Sequence, residues 1–580
     1  MNTVKLTIDG IQVEVPANYT ILEAAREANI NIPTLCYLKD INEIGACRLC
    51  LVEIKGARAL QASCVSPVGE GMEVWTNNEK LRKARKLNLE LILSNHNREC
   101  TSCVRSGNCE LQQLCKEYGV DGYPFDGNKS EATIDEISPS IVRDNTKCIS
   151  CRRCVAACNS VQKIGAIGVA KRGFNTTVGC IFGMSLADSP CINCGQCIAA
   201  CPVGALTEKS EIANVFAALN DPEKFVVVQP APAVRATIGE EFGLPMGTSV
   251  TGKLVSALRR LGFDKVFDTD FGADLTIMEE GTELIQRMQN GGVLPMITSC
   301  SPGWIKYCET FYPEFIPNLS SCKSPHEMEG ALIKSYFAEK EGIDPKNIYV
   351  VSVMPCTSKK FEASRPELSR DGMKDVDAVL TVRELARMIK TASIDFVRLP
   401  DSDFDSLMGE STGASVIFGT TGGVMEAALR TVYEVVTGNE LTDVNLTAVR
   451  GLDGIKEAEV DLNGKTVRVA VAHGTANAKA LLESIKSGEK QYDFIEIMAC
   501  PGGCIHGGGT PIVSATERSY VDVKAERAKA LYAEDAGKAK RKSHENEEVK
   551  KLYAEYLGEI GGHKAHELLH THYTARKKYN

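Results

Sequence analysis

No apolar run in these 580 residues approaches the roughly 20 that a bilayer span requires, so no transmembrane helix is expected. The N-terminal stretch MNTVKLTIDG lacks a basic segment followed by an apolar one. No secretory leader is therefore expected, and a cytoplasmic location is. Positive charge is not in excess: 66 Lys and Arg stand against 75 Asp and Glu, a net charge of −9, which argues against nucleic acid or an anionic membrane as partner. No Gly-x-Gly-x-x-Gly follows a strand-like run, so the chain is expected to carry no dinucleotide site of its own. The glycine-rich GTTGGVMEAALR (residues 419–430) opens a helix but has the wrong spacing. It reads as a tight turn packed on a strand such as SVIF. Composition is otherwise that of a globular chain, 43% hydrophobic and 24% charged, with length enough for about four domains.

Cysteine is the exception, and it is unevenly placed. Of 23 cysteines, 17 precede residue 202, none falls between 202 and 299, and six are scattered from Cys300 to Cys504. They gather in Cys-x-x-Cys runs rather than in the pattern of a small disulfide framework, which points to metal binding. The chain reads as a metal-rich N-terminal arm on a larger body.

The arm divides into three modules. In residues 1–80, VKLTIDGIQVEV alternates about Asp9-Gly10 as a β-hairpin does, and TILEAAREANI has helical spacing with Thr20 as its N-cap. Cys36, Cys47, Cys50 and Cys64 follow, in the general layout of a 2Fe-2S site, with zinc as the alternative. In residues 81–135, His96, Cys100, Cys103 and Cys109 suit either zinc or a 4Fe-4S cluster with one imidazole ligand, while Cys115 reads as a small buried hydrophobe. In residues 136–212, CISCRRCVAAC and CINCGQCIAACP each repeat the bacterial C-x2-C-x2-C-x3-C run, in which the fourth cysteine serves the other cluster. Cys148, Cys151, Cys154 and Cys201 should thus hold one 4Fe-4S cluster, and Cys191, Cys194, Cys197 and Cys158 the second. Four clusters in series would make an electron wire.

The body, residues 213–515, contains ITSCSPGW (297–304), VMPCTSKKFEA (353–363) and EIMACPGGCIHGGGTP (496–511). Each brings cysteine to a turn rich in Pro or Gly, where backbone N–H groups can approach cluster sulfur. These stretches, with the arm, resemble the iron-only hydrogenases over nearly the whole chain, and the first two arm modules also resemble the electron-input subunits of respiratory NADH dehydrogenases. The resemblance implies an α+β modular fold: a ferredoxin-like β-grasp and iron–sulfur modules followed by a large α/β hydrogenase body and a helical tail over residues 516–580. It implies reversible proton reduction and hydrogen oxidation at an H-cluster, a 4Fe-4S cluster joined to a di-iron unit bearing carbon monoxide, cyanide and a bridging dithiolate. One 2Fe-2S and three 4Fe-4S accessory clusters would feed it.

Carried over position by position, the resemblance implies Cys356, Cys500 and Cys504 as cluster ligands, Cys504 being the bridge. Lys359 would bond cyanide, and Met354, Met498 and Pro232 would pack the di-iron unit. The family's first motif ends in two cysteines, the first a proton carrier and the second a ligand. Here they are Cys300 and Ser301. Either Ser301 ligates through oxygen, the favoured alternative, or Cys300 turns to ligate and the thiol relay is lost. Glu280, Ser320 and Glu283 match the family's proton path, with Arg287 near its outer end. Ala233 replaces a serine that donates to cyanide, and His326 replaces a glutamine near a carbon monoxide. APAVR is found in the NAD(P)-linked, electron-bifurcating branch, which implies ferredoxin and flavin- or NAD(P)-binding subunits as partners. A hydrogen sensor or a pure electron-transfer subunit is the alternative, but no output domain is present and the second and third motifs are intact. In the tail, HKAHELLHTHY brings four histidines together. A metal site there is one reading and a surface helix the default.

Overall fold

The computed structural model describes residues 2–122, 124–125, 127–462 and 464–579. The arm opens with the expected hairpin, Thr3–Ile8 against Ile11–Pro16. Asp9 and Gly10 both adopt positive φ, 49° and 85°, as a two-residue turn between twisted strands demands. The helix Ile21–Glu27 packs on the sheet. Its N-cap Thr20 accepts from the Glu23 N–H while Glu23 reaches back to the Thr20 N–H, a complete capping box. The strand Glu73–Trp75 runs parallel to the first, which makes the mixed five-stranded sheet of a β-grasp.

Two four-stranded sheets organise the body. One is wholly parallel, in the order Lys265–Val266, Phe225–Pro230, Ile348–Met354, Ala378–Thr381. The other places Met296–Ile297, Phe494–Met498 and Lys465–His473 in parallel, with Ile455–Leu462 antiparallel at the edge. Their central strands are buried along their length, as in Val226–Val228 and Phe494–Met498, because helices cover both faces. All three cysteine motifs leave the carboxyl ends of such strands: ITSCSPGW follows Met296–Ile297, the second motif follows Ile348–Met354, and the third follows Phe494–Met498. This is where open parallel sheets place ligands.

Two local expectations are corrected. SVIF is helical, not a strand: Gly413–Val416 runs into a tight turn at Ile417–Gly419. Its β-branched residues are overridden by anchoring at Thr412, whose N–H and hydroxyl both donate to buried Asp274, at 2.9 and 2.7 Å. The glycine-rich turn then caps the helix Gly423–Thr437, whose first N–H groups meet a buried carboxylate: Gly422 and Met425 donate to Glu496 at 2.7 and 2.8 Å. In the tail, expected to be helical over residues 516–580, the helix beginning at Val523 stops at Gly537, and the chain is not helical again until Ser543. Among the described residues no helix is long and apolar enough to cross a membrane.

Candidate active site

The eight cysteines of the third module gather in two cavities, with the fourth cysteine of each run lining the other run's cavity. Cys148, Cys151, Cys154 and Cys201 line one small cavity, and Cys158, Cys191, Cys194 and Cys197 line another. In the first module Cys50 and Cys64 sulfurs lie 3.3 Å apart, and the Cys47 N–H donates to Cys36 sulfur at 3.4 Å. His96 is buried, and its Nδ1 has no hydrogen-bond partner among the described residues. Burial holds its basicity below the usual imidazole value, so it offers a neutral nitrogen. Such an orphaned buried acceptor fits a metal ligand better than a packing residue.

The expected series arrangement is not what the contacts give. The 2Fe-2S module touches the Cys148–Cys201 cavity, because Asn42 donates to the carbonyls of both Cys36 and Cys151, at 2.7 and 3.1 Å. The His-Cys module touches it too: Arg105 donates to the Cys201 carbonyl at 3.1 Å, and a Cβ on Gly204 would meet Cys103 sulfur at 2.6 Å. Both modules therefore contact the segments that carry Cys151 and Cys201, so clusters on the expected ligand sets would form a forked path.

From there it leads to the body. The Cys191–Cys197 turn docks on the second and third motifs: Thr357 donates to the Asn193 carbonyl at 2.6 Å, Ser358 to the Ile192 carbonyl at 3.0 Å, and Gln196 to the His506 carbonyl at 2.9 Å. Gly508 lies so close to Gly195 that a Cβ there would meet its Cα at 2.5 Å, which only glycine permits. Cys500 sulfur lies 3.8 Å from the Cys194 carbonyl.

The motifs enclose a cavity lined by Cys300, Ser301, Cys356, Cys500 and Cys504, with Pro232, His326, Met354, Lys359 and Met498. Ala233 does not line it. Its side chain packs behind the wall against Val416, Ile505 and Leu531. A cavity edged by four cysteines and a serine, walled by methionines, with one buried ammonium, matches the donor set of an iron–sulfur centre carrying small anionic ligands. Lys359 Nζ bonds the Cys300 carbonyl at 3.2 Å and Glu362 at 2.8 Å. Burial disfavours its charge, but Glu362 more than offsets this and the lysine stays protonated. His326 bridges Ser352 and Glu362 at 2.9 and 2.7 Å. Burial, with Lys359 nearby, lowers its pKa to about 4, so the ring is neutral.

Ser301 occupies the N-cap of the helix Pro302–Phe311 without capping it. Its hydroxyl instead accepts from the Ala499 N–H of the third motif at 3.2 Å, next to Cys500. Cys300 lines the same cavity. Burial and the nearby Glu280 keep its thiol well above the ordinary range, and hence protonated. Glu280 sits on the helix Thr269–Asn290, fully buried, with neither oxygen hydrogen-bonded. Desolvation first, then Glu283, raise its pKa to about 8. Ser320 donates to Glu283 at 2.9 Å, and Arg287 pairs with Glu283 at 2.6 Å. The tail docks at the outer end of this path, as the family resemblance implies. Ser321 also bonds Glu283, and His570 bonds Ser321 and Glu279 at 2.8 and 2.9 Å. The cluster of tail histidines was the available signal.

Comparison with known proteins agrees with this geometry. Residues 224–508 match the iron only hydrogenase large subunit, C-terminal domain, and residues 521–576 match the iron hydrogenase small subunit, here carried on the same chain. Residues 1–79 match a 2Fe-2S iron-sulfur cluster binding domain, 85–123 the NADH-ubiquinone oxidoreductase-G iron-sulfur binding region, and 138–207 the ferredoxin-like domain of NADH-quinone oxidoreductase subunit 3. The chain is 49% identical to the NADP-reducing hydrogenase subunit HndD of Solidesulfovibrio fructosivorans, with all of both chains covered. It is 47% identical to iron hydrogenase 1 of Clostridium pasteurianum, over 98% of this chain and 99% of that one. A solved apo form of the [FeFe]-hydrogenase HydA1 of Chlamydomonas reinhardtii superposes with a TM-score of 0.57 at 46% identity, covering 64% of this chain and 100% of that one. A cavity built by three cysteine motifs, reached by iron–sulfur modules and matched along its whole length by hydrogenases, places this chain in the iron-only (FeFe) hydrogenase family, as an enzyme of hydrogen oxidation and proton reduction.

Proposed function

We propose that the enzyme works in a cytoplasmic, NAD(P)- and ferredoxin-linked complex, with one 2Fe-2S and three 4Fe-4S accessory clusters on the ligand sets named above. Cys356, Cys500, Cys504 and Ser301 hold the active-site cluster. When bound, the di-iron unit supplies the open metal position at which hydrogen is made or split. The protein positions it with Lys359, Met354 and Met498 and brings the proton. Cys300 carries it at sulfur, Glu280 at its carboxyl, and Ser320 and Glu283 pass it outward. The observation that supports this reading is the Ser301 hydroxyl, which accepts from the Ala499 N–H beside Cys500, while Glu280 is near enough to raise the buried Cys300 thiol.

Fully matured protein should contain about 20 irons per chain, of which roughly 14 belong to the accessory clusters, and should show carbonyl and cyanide infrared bands. Iron near the lower figure without those bands would overturn the assignment. Electron input is expected to need partners. HndD is described as NADP-reducing, but this sequence has no dinucleotide motif, and its arm matches NADH dehydrogenase modules instead. The isolated chain should exchange electrons with ferredoxin or a dye and fail to oxidise NADH or NADPH. Flavin-containing subunits would restore that reaction, with electron bifurcation as the form it takes.

Glu280→Gln keeps the volume of Glu280 and removes its proton, so turnover should fall by about 10²–10⁴-fold, the usual contribution of a positioned acid–base group. The same change has a sign in stability. A carboxyl near 8 in the folded enzyme and about 4.3 when unfolded stabilises the fold relative to its ionised form fully below the lower value. That contribution is lost as pH rises through about 8, so the variant's melting temperature should fall less than wild type between pH 6 and 9, measured calorimetrically on about the same iron content.

A further inference from the structure

The outer end of the proton path contains a group that the hydrogenase chemistry does not use. Cys322 is fully buried, and its sulfur lies 3.9 Å from Glu283 Oε2, with Ser320 close by. An isolated antiparallel bridge sets His570 of the tail directly across from it, held by Lys323 N–H to the Leu569 carbonyl and Thr571 N–H to the Ser321 carbonyl, both 2.8 Å. One ligand atom each from Glu283, Cys322 and His570 lies within 4.8 Å of the other two.

The surroundings prepare these three atoms. Glu279 pairs with His570 Nε2 at 2.9 Å, which fixes the proton there and leaves the Nδ1 lone pair facing Ser321 and Glu283. Carboxylate–imidazole pairing of this kind is the usual support of a metal-binding histidine. Arg287 pairs with Glu283 Oε1, while Oε2, which accepts from Ser320 and Ser321, is the oxygen nearest the Cys322 sulfur. Charge also balances: two carboxylates and a thiolate would face a dication and the Arg287 guanidinium. His566, on the exposed side of the tail helix, stacks on His570 with ring centroids 4.1 Å apart and marks the way in.

We propose that Glu283, Cys322 and His570 bind one soft divalent cation of the Zn²⁺ type, and that its binding closes the proton path from outside. Thiolate, imidazole and carboxylate form a zinc-type set and a poor one for Mg²⁺ or Ca²⁺. On binding, the Cys322 thiol proton leaves to solvent and sulfur bonds the metal. Glu283 Oε2 is taken from Ser320 and Ser321, which breaks the hydrogen bond that would carry the proton outward. The inhibition, though not the binding, rests on the relay proposed above.

Anaerobic titration of the matured enzyme with zinc chloride tests this, with magnesium chloride as control and hydrogen evolution from a reduced dye as readout. Zinc should lower turnover at least about tenfold, and a chelator should restore it. After desalting, the wild type should retain one more zinc per chain than Cys322→Ala, which should have normal basal turnover and unchanged iron and infrared bands. Cys322→Ala should need about 10–100 times more zinc for equal inhibition, the usual cost of losing one group of a metal site. His570→Gln should lose the retained zinc as well. Equal zinc uptake and equal inhibition in wild type and Cys322→Ala would overturn the site. Zinc held by the wild type, lost from Cys322→Ala, and without effect on turnover would keep the site and overturn the relay instead.

Discussion

Cys300→Ala is expected to leave every cluster in place while hydrogen turnover falls by about 10²–10⁴-fold or more. The thiol stands between the cavity and Glu280 and is held protonated by burial and by that carboxylate. Removing it takes away the group that stands between the cavity and Glu280, which begins the outward path to Ser320 and Glu283. Iron content, infrared bands and paramagnetic signals should match wild type. Cys300→Ser should recover little, since a hydroxyl is far less acidic than a thiol.

The neighbouring residue should respond in the opposite way. Ser301→Ala should leave a three-cysteine cluster that is labile or takes up water, and Ser301→Cys should keep turnover and shift the cluster potential, since thiolate is the softer ligand. The geometry favours this division: the Ser301 hydroxyl meets the Ala499 N–H, one residue before Cys500. Loss of the cluster on Cys300→Ala with retention on Ser301→Ala would reverse the assignment. The thiol relay, and not the ligand, would then be what this chain has given up.

Local chemistry was legible in the sequence, and long-range placement was not. The C-x2-C-x2-C-x3-C runs could be read because cluster ligation fixes spacings of a few residues. The Asp9-Gly10 turn and the Thr20 cap are equally local. A forked path through the expected clusters rests on Asn42 reaching Cys151 and Arg105 reaching Cys201, contacts between residues 109 and 96 apart that leave no periodic trace. SVIF misled because anchoring through Asp274, 138 residues away, outweighs the strand preference of its side chains. Ala233 could be aligned with a cavity position, yet the turn after Phe225–Pro230 presents Ala231 and Pro232 to the cavity and buries Ala233 behind. The histidines of the tail were noticed, but their destination depends on a two-bond backbone bridge to Ser321 and Lys323.

Cys504→Ala should abolish hydrogen turnover altogether, because, if Cys504 is the bridge as the resemblance implies, it removes the attachment of the di-iron unit rather than a step in its use. Gly502 and Gly503 both hold positive φ, 88° and 91°, and this double left-handed turn folds Cys504 back beside Cys500 on the cavity wall. A side chain at Gly503 would meet the Thr421 nitrogen at 2.7 Å, so the turn has no room to vary. Cys504 also shares the cavity with Lys359, Met354 and Met498, the residues placed to pack and charge-balance a small anionic metal unit, whereas Cys500 lies against Cys194 of the arm. The two sulfurs thus face different neighbours. Loss of Cys504 should remove the carbonyl and cyanide bands and about two irons, and leave the accessory-cluster signals unchanged. Cys500→Ala should instead disturb the active-site 4Fe-4S signals first, on the side that receives electrons. Carbonyl bands of undiminished intensity in Cys504→Ala would place the bridge on another residue. Cys356, the remaining cysteine beside Lys359, would then have to carry it, and Cys356→Ala should lose the same two irons.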